Sequence, residues 1–274
     1  MSWFEDWFNT PYYHILYKDR DFVEAENFIT NLTKELQLPT ESKIIDLACG
    51  KGRHSVFLHQ LGYEVLGVDL SEESILHNKK FETTTPHRLN FKVHDMRNEL
   101  YPEITSEKVD AVFNLFTSFG YFDEEEDDRR VFQSVKNVLK KEGIFILDFL
   151  NEKFVKNTLV SETEIKKEHI NFKIKKRIEE NYVIKDIYFE DNGKNFHYFE
   201  KVKLSTLEQI KALAENCGFE VVKIWGNYNL ENFDRETSPR CIFQFKNSKT
   251  KLNLECLKDG HKWTASIKKT SIMA

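Results

Sequence analysis

Residues Ile44–Ser55 read IIDLACGKGRHS. The first half is apolar and partly β-branched, which suits a strand buried on both faces. A glycine-rich turn, Gly50-Lys51-Gly52, follows at once, and a helix is predicted from Arg53. Strand, glycine turn and helix in direct succession let the backbone pass close to a ligand. The free N–H groups of the helix N-terminus add positive potential there. Nineteen residues beyond Gly50, Asp69 closes a second apolar run, GYEVLGVDL (62–70). An acid in that place can hold the hydroxyls of an adenosine ribose. A lone GxG is a weak signal, but strand, GxG, helix, strand and acid in register are far more specific.

Outward from this unit, KIIDLA (43–48) opens a series that RLNFKVHD (88–95), VDAVFNLF (109–116) and GIFILDFL (143–150) continue. Helices are predicted between them over Arg53–Leu61, Glu72–Glu82 and Glu124–Lys140. Upstream, Asp21–Leu38 places Phe22, Ala25, Phe28, Ile29, Leu32 and Leu36 at helical spacing and stops before Pro39. Alternating elements with short connections predict an α/β fold on a mainly parallel sheet. After Leu150 the pattern becomes antiparallel. Three or four strands are expected between about 158 and 204, with Asn192-Gly193 as a hairpin turn. One face of that block carries Ile187, Phe189, Phe196 and Tyr198, and it must cover core, a partner or a ligand. Ser205 with Glu208 predicts a capping box for a helix over Thr206–Cys217, stopped by Gly218. Strands over Phe219–Trp225 and Arg240–Lys246 complete the pattern.

Composition excludes several classes. The 274 residues carry 40 Lys plus Arg against 45 Asp plus Glu, a net charge of −5. This disfavours sequence-blind nucleic-acid binding, which needs a basic face. No apolar run approaches the roughly 20 residues of a membrane helix. The opening MSWFEDWFNTPYY has acids among its aromatics and no basic start, so it is not read as a signal peptide. Cys49, Cys217, Cys241 and Cys256 form no CxxC pair and no zinc-ligand cluster, so a reducing, cytoplasmic setting and no metal are expected. Residues 247–274 show little core-forming pattern and hold six Lys against two acids. They are expected to be a peripheral basic tail, leaving a more acidic body over 1–246.

Two ligand classes use a glycine turn of this kind. Nicotinamide and flavin proteins usually carry GxGxxG, whereas Ser55 occupies the third position here. The other class sets an acid ahead of the glycines, as Asp46 stands in Asp-x-Ala-x-Gly-x-Gly. That acid suits a ligand bearing an ammonium group and would repel a pyrophosphate. This segment resembles motif I of the class I S-adenosylmethionine-dependent methyltransferases. His94-Asp95-Met96 and Asn114–Phe122 (NLFTSFGYF) continue the likeness in order, over roughly Tyr12–Lys246. The combination looks closest to small-molecule N-methyltransferases of the amino-sugar and glycine types.

The resemblance implies a Rossmann-like, seven-stranded, mostly parallel sheet with helices on both faces. It also implies an N-terminal helical lid over 1–40 and an antiparallel insertion after the fifth strand that roofs the substrate. S-adenosyl-L-methionine is the implied cofactor and S-adenosyl-L-homocysteine its product. Asp46, Ala48, Cys49, Gly50, Gly52 and His54 match the motif I region, and Asp69 the ribose-binding acid, with Leu70 beside the adenine. Asp95 would meet the adenine amine and the Met96 N–H the ring, while Asn114 and Phe116 fall where the family places cofactor and substrate contacts. In similar proteins a tyrosine-rich N-terminal segment closes over the cofactor. Here Tyr13 and Tyr17 are the candidates, since rings can face a sulfonium, with Arg20 as a carboxylate partner. Against this stands the plainer reading in which those rings simply pack on the sheet.

Methyl transfer from a sulfonium is an in-line displacement that needs positioning and exclusion of water. Tyr121 is the candidate substrate contact; no catalytic base is singled out. His54 either orients substrate or merely caps and packs, and His197 is more readily a solvated strand residue than a pocket group. The fourth strand lacks the Asn/Asp-Pro-Pro-aromatic motif, and the basic run around Lys173–Arg177 is interspersed with Glu, so nucleic acid is a disfavoured substrate. The acids of DEEEDD (123–128) are expected to cap the next helix. The expected partner is a small molecule, with no membrane and a monomer or homodimer. The rival functions are a nicotinamide-type oxidoreductase and a cofactor-binding module without catalysis.

Overall fold

The computed structural model describes residues 3–18 and 22–248. Three helices, α1 (Trp3–Phe8), α2 (Pro11–Leu16) and α3 (Phe22–Leu36), precede β1 (Lys43–Leu47), α4 (Arg53–Gln60), β2 (Glu64–Asp69) and α5 (Glu72–Asn78). Next come β3 (Leu89–Val93), β4 (Val109–Asn114), α6 (Glu125–Val138), β5 (Leu139–Leu150) and α7 (Glu152–Thr158). Then β6 (Glu162–Lys167), β7 (Ile170–Glu179), β8 (Tyr182–Asp191) and β9 (Lys194–Lys203) form a separate antiparallel sheet. The chain returns through α8 (Leu207–Asn216), β10 (Phe219–Trp225) and β11 (Arg240–Asn247).

The main sheet has seven strands in the order β10-β11-β5-β4-β1-β2-β3, parallel except where β11 meets its neighbours. Central strands of such a sheet bury both faces, which is why Ile44–Leu47 is apolar apart from Asp46. Alternate residues serve opposite layers. Ile45, Leu47, Val112 and Phe145 pack under α6 and α8, while Ile44, Ala111, Phe113 and Ile146 pack under α3 and α4. The strand order reverses between β1 and β4, and the crevice there is where open α/β sheets bind ligands.

The Asn192-Gly193 hairpin forms with both residues at positive φ, pairing Asp191 with Lys194. The apolar face of the insertion covers the N-terminal helices. Trp7 and Leu16 are buried against Ile170, Phe172, Ile174, Ile187 and Phe189, with Tyr12, Phe196 and Tyr198 beside them. The roof is thus one unit made of α1, α2 and the small sheet.

Several boundaries differ from the sequence reading. The predicted helix Glu72–Glu82 gives way after Asn78 to a 3-10 turn, Lys79–Phe81. β5 begins at Leu139, inside the predicted helix, because a register shift between Val109 and Ala111 on β4 absorbs Lys140–Gly143. The capping box of α8 is Thr206 with Gln209, one residue beyond the Ser205–Glu208 pair. α7 buries no residue, so no apolar pattern announces it. The acidic run supplies first-turn charge to α6, but Glu124 makes no side-chain cap. Asp123 and Asp128 instead bond Lys201 (2.6 Å) and Lys203 (2.8 Å), tying β9 to the body. Asn247, read as the start of the tail, ends β11. The tail from 249 on, with Cys256, lies outside the described residues.

Candidate active site

The carboxyl ends of β1, β2 and β4 open on a cavity of about 570 Å³, a size that suits a small-molecule site. Its floor is the turn after β1. Ala48, Gly50 and Gly52 all have positive φ, at 59°, 53° and 71°. A Cβ built at Gly50 would meet nothing within 4 Å, so this glycine faces open space. One built at Gly52 would meet Phe91 at 2.9 Å and Asn78 at 3.1 Å. The two glycines therefore do different things: Gly52 lets the turn sit down on β3 and α5, and Gly50 keeps the cavity clear. The Asn78 amide donates to the Gly50 carbonyl at 2.7 Å and steadies the turn.

Asp69 ends β2 with its carboxylate at the rim. It accepts the Gly50 N–H at 2.7 Å and the Ser71 N–H at 2.8 Å. Burial pushes this carboxyl up, and the same N–H groups hold it back. After β3, Asp95 is also pushed up by burial, but the Arg97 guanidinium, bonded at 2.5–3.0 Å, outweighs that and holds it below the usual carboxylate range. Arg97 itself lies over the Phe122 ring at 4.8 Å. His94 is lowered by burial, with its Nε2 3.3 Å from the Asn98 carbonyl.

The roof descends from α1, α2 and the turn after β4. Tyr121 packs edge-on against Trp3 at 5.4 Å and near Phe8 at 5.5 Å. The Tyr17 hydroxyl donates to Glu200 on β9 at 2.5 Å, and the Trp7 indole donates to the same oxygen at 2.9 Å. Asn9 accepts from Ser71 at 2.8 Å, and His14 lies 3.5 Å from Glu73, so α2 also touches the α5 side of the cavity. Burial first, then Lys51 and His77, lower the His14 imidazole to about 4.

Of the residues singled out from sequence, Tyr13, Tyr17, Ala48, Cys49, Gly50, Gly52, His54, Asp69, Leu70, Asp95, Met96, Phe116 and Tyr121 all line this one cavity. Asp46 and Asn114 do not form its wall. Asp46 is 1% exposed and sits beneath the turn, accepting the Ser55 hydroxyl at 2.5 Å. Burial raises its carboxyl to about 6 against that hydrogen bond. It braces β1 against α4 from behind the cavity wall, where direct contact with a ligand ammonium had been expected of it. Asn114 is buried and donates to the Leu47 carbonyl at 2.9 Å, joining the ends of β4 and β1. Arg20 lies outside the described residues. His197 is away from the cavity, stacked on Tyr188 at 4.3 Å and 3.0 Å from Asp186. Tyr12 turns to the small sheet and donates to Asp191 at 2.9 Å.

The sequence reading missed Phe4 and Phe8, which line the cavity while Trp7 anchors their helix. Their i, i+4 spacing within WFEDWF was the available signal. It also missed Lys51 in the turn and Arg53 and Phe57 in α4, which stand on the wall but have no distinguishing pattern of their own.

Fold, glycine turn and rim acid together define a protein that binds an adenosine-bearing cofactor, and similarity to known proteins shows that the chain belongs to the S-adenosylmethionine-dependent methyltransferases. Residues 44–143 match the family described as a methyltransferase domain. YqeM of Bacillus subtilis, a protein named as a methyltransferase, is 31% identical over 230 residues, covering 79% of this chain and 88% of that one. A glycine/sarcosine N-methyltransferase of Aphanothece halophytica is 35% identical over 133 residues, 48% of each chain. The fold is that of a solved S-adenosylmethionine-dependent methyltransferase from Clostridium acetobutylicum, with a TM-score of 0.71 at 20% identity over 86% of this chain and 96% of that one. The similarity lies with methyltransferases, and none of it supports the oxidoreductase alternative.

Proposed function

We propose that this enzyme methylates a nitrogen or oxygen of a small molecule, with residues 1–246 as one catalytic unit. The observation that carries the reading is the single cavity in which the open Gly50 backbone, the Asp69 carboxylate and the aromatic roof converge. In this reading Asp69 holds the ribose hydroxyls, Leu70 and Met96 flank the adenine, and Asp95 faces its amine. Ala48–Gly52 hold the methionine portion, with His54 and Phe116 at its reacting end. Bound S-adenosylmethionine supplies an electrophilic methyl on a sulfonium. The chain supplies placement: Phe8, Tyr13, Tyr17 and Tyr121 exclude water and offer ring faces to positive charge. Tyr121, at the end of the turn after β4, is the proposed acceptor contact. Alignment of this kind is worth on the order of 7–11 kcal/mol of barrier.

A small acceptor is favoured because Phe4, Phe8, Tyr13 and Tyr17 of the N-terminal segment, backed by the small sheet, wall the cavity above, and because the charge of −5 opposes a polyanion. Homologues named for glycine and sarcosine support the same choice. Buried thiols at Cys49, Cys217 and Cys241 fit a reducing cytoplasmic setting, and a monomer or homodimer fits a self-contained cavity. Among the described residues no helix is long and apolar enough to cross a membrane. The test is incubation with methyl-labelled S-adenosylmethionine, a metabolite extract, total RNA and protein. Label is expected in the small-molecule fraction; label confined to RNA or protein would overturn the proposal.

A further inference from the structure

A buried ion pair lies at the end of β5 and the start of β11, outside the residues assigned above. Asp148 is 0% exposed, and one of its oxygens accepts Arg240 Nε at 2.7 Å. Its other oxygen accepts the Phe116 N–H at 2.8 Å and the Tyr228 hydroxyl at 3.1 Å. The Asp148 backbone carbonyl takes the Thr117 N–H at 3.2 Å, and Arg240 Nη2 donates to the Thr117 hydroxyl at 2.6 Å. Both partners of the pair therefore reach the same turn, Phe116–Thr117.

That turn needs holding. Phe116 and Thr117 both have φ of 61°, a region that non-glycine residues seldom adopt and a β-branched residue least of all. Such backbone persists only where its surroundings over-determine it. A link between β5 and β11 alone would not require these contacts, because the strands already pair, with Asp148 opposite Ile242. The visible result of the clamp is the place of the Phe116 ring. Tyr228 stacks on it at 5.0 Å and 17°, the Arg53 guanidinium lies 4.4 Å from its centroid, and His54 is 5.1 Å away. The ring walls the cavity at β4, three strands along the sheet from the β3 end that carries Asp95.

We propose that Asp148, Arg240 and Thr117 are positioning residues that clamp the strained Phe116–Thr117 turn and so set the wall of the cavity at the methyl-acceptor end. The inference rests on the methyltransferase reading above. Its test compares Arg240→Lys and Thr117→Val with Thr117→Ser, which keeps the hydroxyl. In the first two, amide exchange at Phe116 and Thr117 should quicken about tenfold while the β1 and β4 amides stay protected. Transfer of label into the small-molecule fraction of a metabolite extract should fall about tenfold or more, since a misplacement near 1 Å can cost that much. S-adenosylhomocysteine affinity should fall much less than transfer does, since Phe116 meets the cofactor only at its reacting end, and Thr117→Ser should behave as the unmodified protein. Unchanged exchange at the turn would overturn the proposal. So would a general loss of protection with parallel loss of S-adenosylhomocysteine binding, the mark of a merely structural pair. If the unmodified protein labels no small molecule, the function proposed above fails, while the exchange arm still decides whether the clamp exists.

Discussion

Gly50→Ala separates the ligand role of the glycine turn from its folding role. Alanine at φ 53° carries a left-handed backbone penalty of about 1–2 kcal/mol. It meets no protein atom within 4 Å, so no packing cost adds to this. Its methyl group projects into the cavity and would push a bound cofactor off the turn, losing at least one backbone contact worth about 1–3 kcal/mol, or roughly 5- to 150-fold in affinity. Gly52→Ala is the converse. At φ 71° it carries the same backbone penalty, and its Cβ would lie 2.9 Å from Phe91 and 3.1 Å from Asn78, so about 1–3 kcal/mol of overpacking is added. Chemical denaturation should show Gly52→Ala as the less stable variant. Calorimetry with S-adenosylhomocysteine should show the larger affinity loss per unit of stability lost in Gly50→Ala. Equal affinity of Gly50→Ala and the unmodified protein would refute the claim that this backbone faces the cofactor.

Asp69→Ala removes the acceptor for the Gly50 and Ser71 N–H groups as well as the proposed ribose contact. Affinity for S-adenosylhomocysteine should drop by about 3–6 kcal/mol, two charged hydrogen bonds, and unchanged binding would remove Asp69 from the site. For Asp46, burial raises the carboxyl from 3.8 to about 6. The folded state therefore binds this proton more tightly, and the stability it confers is present below about pH 4 and lost as pH rises through about 6. Asp46→Asn keeps an acceptor for Ser55 but cannot ionise. Its stability relative to the unmodified protein should rise by about 2 kcal/mol between pH 4 and pH 7.5; a pH-independent difference would refute the assignment. Trp7 is 0% exposed between the N-terminal helices and the small sheet. Trp7→Ala should cost about 3–5 kcal/mol where the roof unfolds with the body, with faster amide exchange in α1, α2 and β7–β8. Exchange confined to α1 would show that the roof is not one unit.

The parts of this fold legible in the sequence are those where one local pattern suffices. Buried parallel strands such as Ile44–Leu47 and Val109–Asn114 are short apolar runs, and the Asn192-Gly193 turn is set by its own two residues. The glycine turn and Asp69 were legible for the same reason, because their spacing along the chain equals their meeting in space. What escaped depends on distant partners. Asp46 carries the motif, yet its orientation is decided by Ser55 and the packing of α4. Asp148 and Arg240 are 92 residues apart and meet only because β11 inserts beside β5. The extension of β5 back to Leu139 is hidden by a register shift that polar residues fill, so it reads as the end of a helix. The aromatic N-terminus is the intermediate case: Tyr13 and Tyr17 were legible as candidates and line the cavity, whereas their seat on the small sheet, through Glu200 for Tyr17 and beside Asp191 for Tyr12, depends on residues far along the chain.

The most direct test of the central claim is equilibrium titration of the full chain with S-adenosylhomocysteine and, separately, with NAD. The expected result is stoichiometric binding of S-adenosylhomocysteine that Asp69→Ala weakens strongly, and no measurable binding of NAD. Binding of NAD in place of S-adenosylhomocysteine, or binding of neither, would contradict it.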